Sequence, residues 1–241
     1  MGFGHRKGMS WLRLCCIENH VRTRSGIISE QHKSMKFSPQ DTESLLTLLK
    51  WRRDVRQFKQ TPLPDDAVSK LKEAMDLAPS VGNSRPWRVV QVNDNQLRER
   101  IVANHNTANE DAKNIYEEAK RQEYQKLKLE GLREAPLQLA IFTDPNPVSG
   151  HGLGRQTMPE TLVYSTITAI HQLWLVARTL NIGVGWVSIL EPEQINELLG
   201  VDQSWLFTAY LCIGYPENED DTPKLHRDGW QLNEQSEWLQ K

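Results

Sequence analysis

Cysteine is scarce: three occur in 241 residues, two of them adjacent at Cys15 and Cys16 and the third, Cys212, inside an apolar run. That pattern excludes a disulfide framework, and no Cys/His spacing reads as a zinc site. Cys212 is expected to be a buried, inert thiol, and no metal is expected. Long apolar runs are also missing, since none approaches the ~20 residues that span a bilayer. The run Trp11-Leu12-Arg13-Leu14-Cys15-Cys16-Ile17 is too short, and too interrupted by Arg13, to act as a secretory core. The formal net charge is only −2, so no global field draws the protein to nucleic acid or to an anionic membrane. Any anion site must be a local basic cluster. A cytoplasmic protein is the expectation, with residues 1–36 as a poorly ordered extension and residues 37–241 as one domain.

What is present is an interleaving of helix and strand patterns in which helices dominate. Ser38-Pro39-Gln40-Asp41 has the cap, the first-turn proline and the acid that open a helix, continued by the stripe Leu45, Leu46 and Leu49. A second helix opens at Pro64-Asp65-Asp66. Its stripe is Ala67, Val68, Leu71, Ala74, Met75 and Ala78, and Pro79 stops it. Strands are predicted at 88–92, 137–143, 183–190 and 206–215, the second so apolar that it should be central. A long polar helix or helix pair is predicted up to about residue 129. Residues 144–160 form a Gly/Pro loop, and 161–180 an apolar helix suited to a core or an oligomer interface. A short helix from about Pro192 ends at Gly200.

Three segments carry residues suited to chemistry. Arg52-Arg53-Asp54-Val55-Arg56 falls at a helix C-terminus, where Arg52 and Arg56, four apart, would share a helical face and fork around one phosphate. On the spacing alone, a solvated basic patch favoured by the helix dipole is the more ordinary account. The arginines should hold Asp54 ionised. Pro79 to Trp87 is a loop of small hydrogen-bonding residues, suited either to a planar polar ligand or to an ordinary connection. Gly183-Val184-Gly185-Trp186-Val187-Ser188 places two glycines where a ligand can approach the backbone, but it lacks dinucleotide-fold spacing. Ser188 has no evident triad partners.

Together these segments resemble a known family. Arg52 to Arg56 is similar to the arginine-rich opening of nitroreductase-fold flavoproteins, and Pro79 to Trp87 to their loop, with Arg85 where glutamine is usual. Further features resemble one branch, the 5,6-dimethylbenzimidazole synthases (the BluB family). These are Asp54 in the arginine motif, Leu127 to Arg133 with Ala135-Pro136, Leu153-Gly154-Arg155 ahead of Val163-Tyr164-Ser165-Thr166, and the run ending at Ser188.

The resemblance implies an α+β, nitroreductase-like fold: a mixed, mainly antiparallel sheet flanked by helices, in an intertwined homodimer with flavin at the subunit interface. It implies oxygen-dependent fragmentation of reduced FMN to 5,6-dimethylbenzimidazole, the lower ligand of vitamin B12. The substrates would be FMN and O2, with a separate NAD(P)H-dependent flavin reductase supplying the reduced flavin. Asp54 and Ser188 are the implied catalytic residues. Arg52, Arg53, Asp54, Val55, Arg56, Ser80, Asn83, Leu129, Gly185, Trp186 and Ser188 are the implied flavin contacts, with loop 144–160 as a lid. An NAD(P)H-dependent nitroreductase or flavin reductase is the alternative.

Overall fold

Helix α1 (Pro39–Trp51) starts where local chemistry places it. The Ser38 hydroxyl accepts from the Asp41 N–H, and the Asp41 carboxylate accepts from the Ser38 N–H, a reciprocal capping box. Its Leu45, Leu46 and Leu49 are not buried, however, and no residue of α1 is. In α2 (Asp65–Asp76) the predicted stripe does face inward: Ala67, Leu71, Ala74 and Met75 are buried. Each large apolar side chain so buried contributes roughly 1.5–3 kcal/mol. The computed structural model describes residues 35–127 and 130–241, and Ser38–Lys241 forms one compact unit. The run around Cys15 and Cys16, the expected extension as far as residue 34, and Leu129 lie outside the described residues.

The sheet has the order β1-β2-β4-β3, with every neighbouring pair antiparallel. Its strands are β1 (Trp87–Gln91), β2 (Leu137–Thr143), β3 (Gly183–Val187) and β4 (Leu206–Gly214). All seven residues of β2 are buried, because both faces of the sheet are covered. Alternation sorts the side chains by face. Leu137, Leu139 and Ile141 join the core with α2 and α5 (Thr161–Thr179). Ala140 and Phe142 join the opposite core with α3 (Asn95–Lys113) and α6 (Pro192–Leu199). The result is three layers.

Most predicted elements stand within one or two residues of their observed bounds. The strand expected over 183–190 is an exception, ending at Val187. The chain turns there because α3 seizes the following backbone. The His105 Nδ1 pairs with the Ile189 carbonyl at 2.9 Å, and the Asn104 Oδ1 accepts from the Glu191 N–H at 2.9 Å. Of the expected polar helix or helix pair, the pair is what forms, α3 and α4 (Glu118–Tyr124). The C-terminal segment carries a one-turn α7 (Lys224–Arg227). Cys212 is fully buried, and burial pushes its thiol up to about 12.

Candidate functional site

The segment after α1 is not helical. Arg52 turns extended (φ −73°, ψ 110°), and Asp54 forms an isolated parallel bridge with Val184 on the free edge of β3. The Val55 N–H donates to the Val184 carbonyl at 3.0 Å, and the Lys59 N–H to the Tyr215 carbonyl at 2.8 Å. The expected helical fork of Arg52 and Arg56 is therefore corrected. In extended chain the period is two, so Arg52, Asp54 and Arg56 fall on one face, with the carboxylate between the guanidinium groups. Phe58, 3% exposed, pins the end of the segment. Its ring occupies the space that a Cβ would need at Gly131, and it also lies close to Gly214, where Pro136 is the nearer neighbour.

The glycines of β3 are explained by this segment rather than by open space for a ligand. A Cβ at Gly183 would come within 2.7 Å of the Val55 Cγ2, and one at Gly185 would collide with the Val55 carbonyl oxygen. The Val55 side chain fills the space beside Gly183 and the Val55 backbone that beside Gly185, so on this face the glycines admit the chain itself. The next ladder donor, the Trp186 N–H, bonds the Asp54 Oδ1 at 2.9 Å. A side-chain carboxylate thus accepts a hydrogen bond that a continued parallel ladder would direct to a backbone carbonyl.

Asp54 also pairs with Arg56, and its side chain keeps 39% of its accessible surface. Its pKa is raised above the ordinary aspartate value. Burial is the largest cause, and the Arg56 charge, the Trp186 N–H and Arg52 pull the other way. The arginines do favour the ionised form, as expected, but burial outweighs them in the direction of the shift. Because the folded value exceeds the unfolded one, ionising Asp54 costs folding free energy. That cost is absent below the unfolded value, near about 3.9, and complete once pH passes the folded value. Asp54→Asn should accordingly melt at or above the parent's temperature at about pH 7.5. The gap should close as pH falls towards about 4. Thermal melts across that range check the sign, and a variant clearly less stable at neutral pH would contradict it.

Arg52, Arg53, Asp54, Val55 and Arg56 line a cleft of about 570 Å³, within the range of small-molecule sites. Its other wall is the C-terminal segment from Asn218 to Arg227, with Lys126 also on the rim. Six basic residues (Arg52, Arg53, Arg56, Lys126, Lys224 and Arg227) face two acids, Asp54 and Asp220. Lys224 is paired with Asp228 and Arg227 with Asp220, which leaves the arginine segment as the candidate for an anion. The Arg53 Nε and the Arg56 Nη1 are buried without a hydrogen-bond partner, and buried guanidinium donors of this kind suit a phosphate. Sequence reasoning missed Lys126, Lys224, Arg227 and the wall they build. The available signal was the basic turn Lys224-Leu225-His226-Arg227 directly after an acidic stretch. Trp230 ties this wall to α4, with its ring 5.6 Å from Tyr116 and Lys120 3.9 Å above it.

The other predicted residues lie elsewhere. Ser188 is exposed and two residues beyond the Trp186 N–H, hence about 7 Å further along the strand direction. Ser80 and Asn83 do not line the cleft. The Ser80 hydroxyl accepts from the Arg85 N–H at 3.0 Å, and Asn83 is exposed with φ +54°. Their loop is held by the Ser165 hydroxyl on the Val81 N–H, whereas Arg53 is held by Trp174. Those two anchors are nine residues apart on α5, or roughly 13 Å. Loop 144–160 packs on the Ser80–Asn83 loop, with a Cβ at Gly150 only 2.7 Å from the Gly82 carbonyl. Arg85 turns away to the end of α2, donating to the Asp76 carbonyl at 2.8 Å.

Known proteins resemble this chain in sequence and in fold. The Nitroreductase family model matches residues 49–215. A 5,6-dimethylbenzimidazole synthase of Rhodobacter capsulatus is 49% identical over 204 residues, covering 85% of this chain and 99% of its own. One of Rhodospirillum rubrum is 50% identical over 195 residues, covering 81% of this chain and 92% of its own. Among solved structures, an iodotyrosine deiodinase bound to FMN and 3-iodo-L-tyrosine superposes with a TM-score of 0.64 at 19% identity. It covers 82% of this chain and 97% of its own. The α+β architecture, the bridged arginine segment and these likenesses agree: the chain belongs to the nitroreductase family and, within it, groups with the 5,6-dimethylbenzimidazole synthases.

Proposed function

We propose that this chain fragments reduced FMN with O2 to release 5,6-dimethylbenzimidazole, the lower ligand of vitamin B12. The observation that carries the reading is the Asp54 carboxylate, held by the Trp186 N–H and Arg56 on the wall of a cleft rich in cationic side chains. Relatives about half identical to this chain and named for that synthesis support it. Reduced flavin supplies both the electrons for O2 and the carbon framework of the product.

The protein's own residues bind, orient and move protons. Arg52 and Arg56 hold the phosphate, helped by the buried Arg53 Nε. With the phosphate there, Asp54 lies beside the sugar chain, where a carboxylate of raised pKa can take up and return a proton. Ser188, one residue past the end of the strand that carries the Asp54 contact, orients the flavin through its hydroxyl. Val55, Gly185 and Trp186 complete the contact edge, and Leu129 belongs to the same proposed set.

Ser80 and Asn83 reach the flavin from a second copy of the chain, because within one chain their loop stands away from the cleft. A homodimer also suits the unburied Leu45 and Leu46 of α1 and the exposed Tyr164 and Ile167 of α5. Loop 144–160, packed on the Ser80–Asn83 loop, is then in position to cover the site. The reaction consumes flavin, so a separate NAD(P)H-dependent reductase is expected to supply it. No helix among the described residues is long and apolar enough to cross a membrane, and a cytoplasmic location fits this supply.

The test is aerobic incubation of the protein with reduced FMN, followed by chromatography. Dimethylbenzimidazole in proportion to protein is the expected result. Recovery of intact oxidised FMN with hydrogen peroxide alone would reject this reading. Steady NADPH oxidation without added reductase would favour a nitroreductase or flavin reductase.

A further inference from the structure

We infer that Trp174 is a positioning residue that aims Arg52 into the cleft and so makes the site selective for phosphorylated over unphosphorylated flavin. The inference rests on the reading of Arg52 as a phosphate arm.

Trp174 lies in α5, only 8% exposed, and makes two contacts with the arginine segment. Its ring lies under the Arg52 guanidinium, 4.9 Å from centroid to Cζ. Its indole N–H donates to the Arg53 carbonyl at 3.3 Å. The first contact fixes the plane of a side chain that would otherwise sample many rotamers. The second fixes the backbone at the residue between Arg52 and Asp54, where α1 has ended and no helical bond restrains the chain. A leucine would fill the core here as well, but it would supply neither contact.

One turn further along α5, Arg178 holds Glu219 with two bonds of 2.8 and 3.2 Å. Glu219 lies in the segment that forms the opposite wall of the cleft. The same face of α5 therefore braces both walls, and Arg52 is held at a set distance from the basic groups it faces. A guanidinium fixed before binding loses less entropy when a phosphate arrives.

Because Trp174 acts through Arg52, its effect must appear with FMN and be absent with riboflavin, which lacks the phosphate. Anaerobic calorimetry with reduced FMN and reduced riboflavin separates the two. The proteins compared are the parent, Trp174→Leu, Trp174→Phe, Arg52→Ala and the double variant Trp174→Leu/Arg52→Ala. Trp174→Leu should weaken FMN about tenfold while leaving riboflavin within about twofold. Trp174→Phe, which keeps a ring but loses the N–H, should weaken FMN about threefold. The double variant should bind FMN no more weakly than Arg52→Ala alone, since two residues acting as a unit are not additive. Equal losses for both ligands, or additive losses in the double variant, would overturn the inference and leave Trp174 a packing residue. An unchanged FMN-to-riboflavin ratio in Arg52→Ala would instead remove the phosphate reading of Arg52, and the inference with it. If Trp174→Leu does not fold, the ratio measured on Trp174→Phe decides.

Discussion

Asp54→Asn is expected to lower the yield of dimethylbenzimidazole by at least about 100-fold while leaving the affinity for reduced FMN within about threefold. The two halves of this expectation have separate causes. Asparagine has nearly the same shape, and its Oδ1 can still accept from the Trp186 N–H, so the bridged segment keeps its place on β3. Removing the negative charge leaves Arg56 without its carboxylate and makes the cleft more cationic, which does not weaken the hold on a phosphate. The amide cannot take up a proton at neutral pH, however. The rate contribution of a positioned acid–base group, typically 10²–10⁴-fold, is lost. Product and hydrogen peroxide should be quantified together, because a blocked fragmentation still lets O2 oxidise the flavin. Normal yield would end the proton-transfer role, and lost affinity with lost yield would make Asp54 a binding residue instead. The same variant is expected to be no less stable than the parent at neutral pH, as a group held for function at a cost to folding would be.

Gly185→Ala is expected to cost roughly 3 kcal/mol or more, which in a chain of this size lowers the melting temperature by about 6–12 °C. The reason is local. The added Cβ would meet the Val55 carbonyl oxygen. Backbone held by its own ladder bond cannot swing aside as the end of a flexible side chain can. Moving Val55 off β3 also moves Asp54 and Arg56, so activity should fall with stability, and product yield should be low well below the melting temperature. Gly200 is the control. It closes α6 in the left-handed region (φ 62°), and a Cβ there meets nothing within 4 Å. Gly200→Ala should cost about 1 kcal/mol through backbone strain alone and leave yield intact. Thermal melts and product assays on both variants check the contrast. A Gly185→Ala protein of parental stability and yield would show that the segment is not pressed onto β3 as described.

Much of this protein was legible in its sequence because the deciding interactions are local. The Ser38-Pro39 cap, the α2 stripe, the apolar run of β2 and the Gly200 stop depend on neighbours within a turn or on simple periodicity, and each element stands where expected. The motif residues Arg52, Asp54, Arg56, Trp186 and Ser188 were likewise visible as chemistry. Their geometry was not. Period-3.6 reasoning placed Arg52 and Arg56 on a helix, but contacts with Val184 and Tyr215, more than 125 residues away, make the segment extended. The direction of the Asp54 shift depended on burial, which no spacing reveals. The purpose of Gly183 and Gly185 was invisible for the same reason, since the group that needs their missing side chains is Val55. Lys126, Lys224 and Arg227 entered no reading of the sequence, because only the fold brings them to one cleft. By itself the sequence determined which elements form and which residue types are available, because capping, periodicity and side-chain chemistry act over a few bonds. Only the tertiary structure decided which charges meet, how deeply the carboxylate is buried and which backbone needs a glycine, because those depend on approaches between segments far apart in the chain.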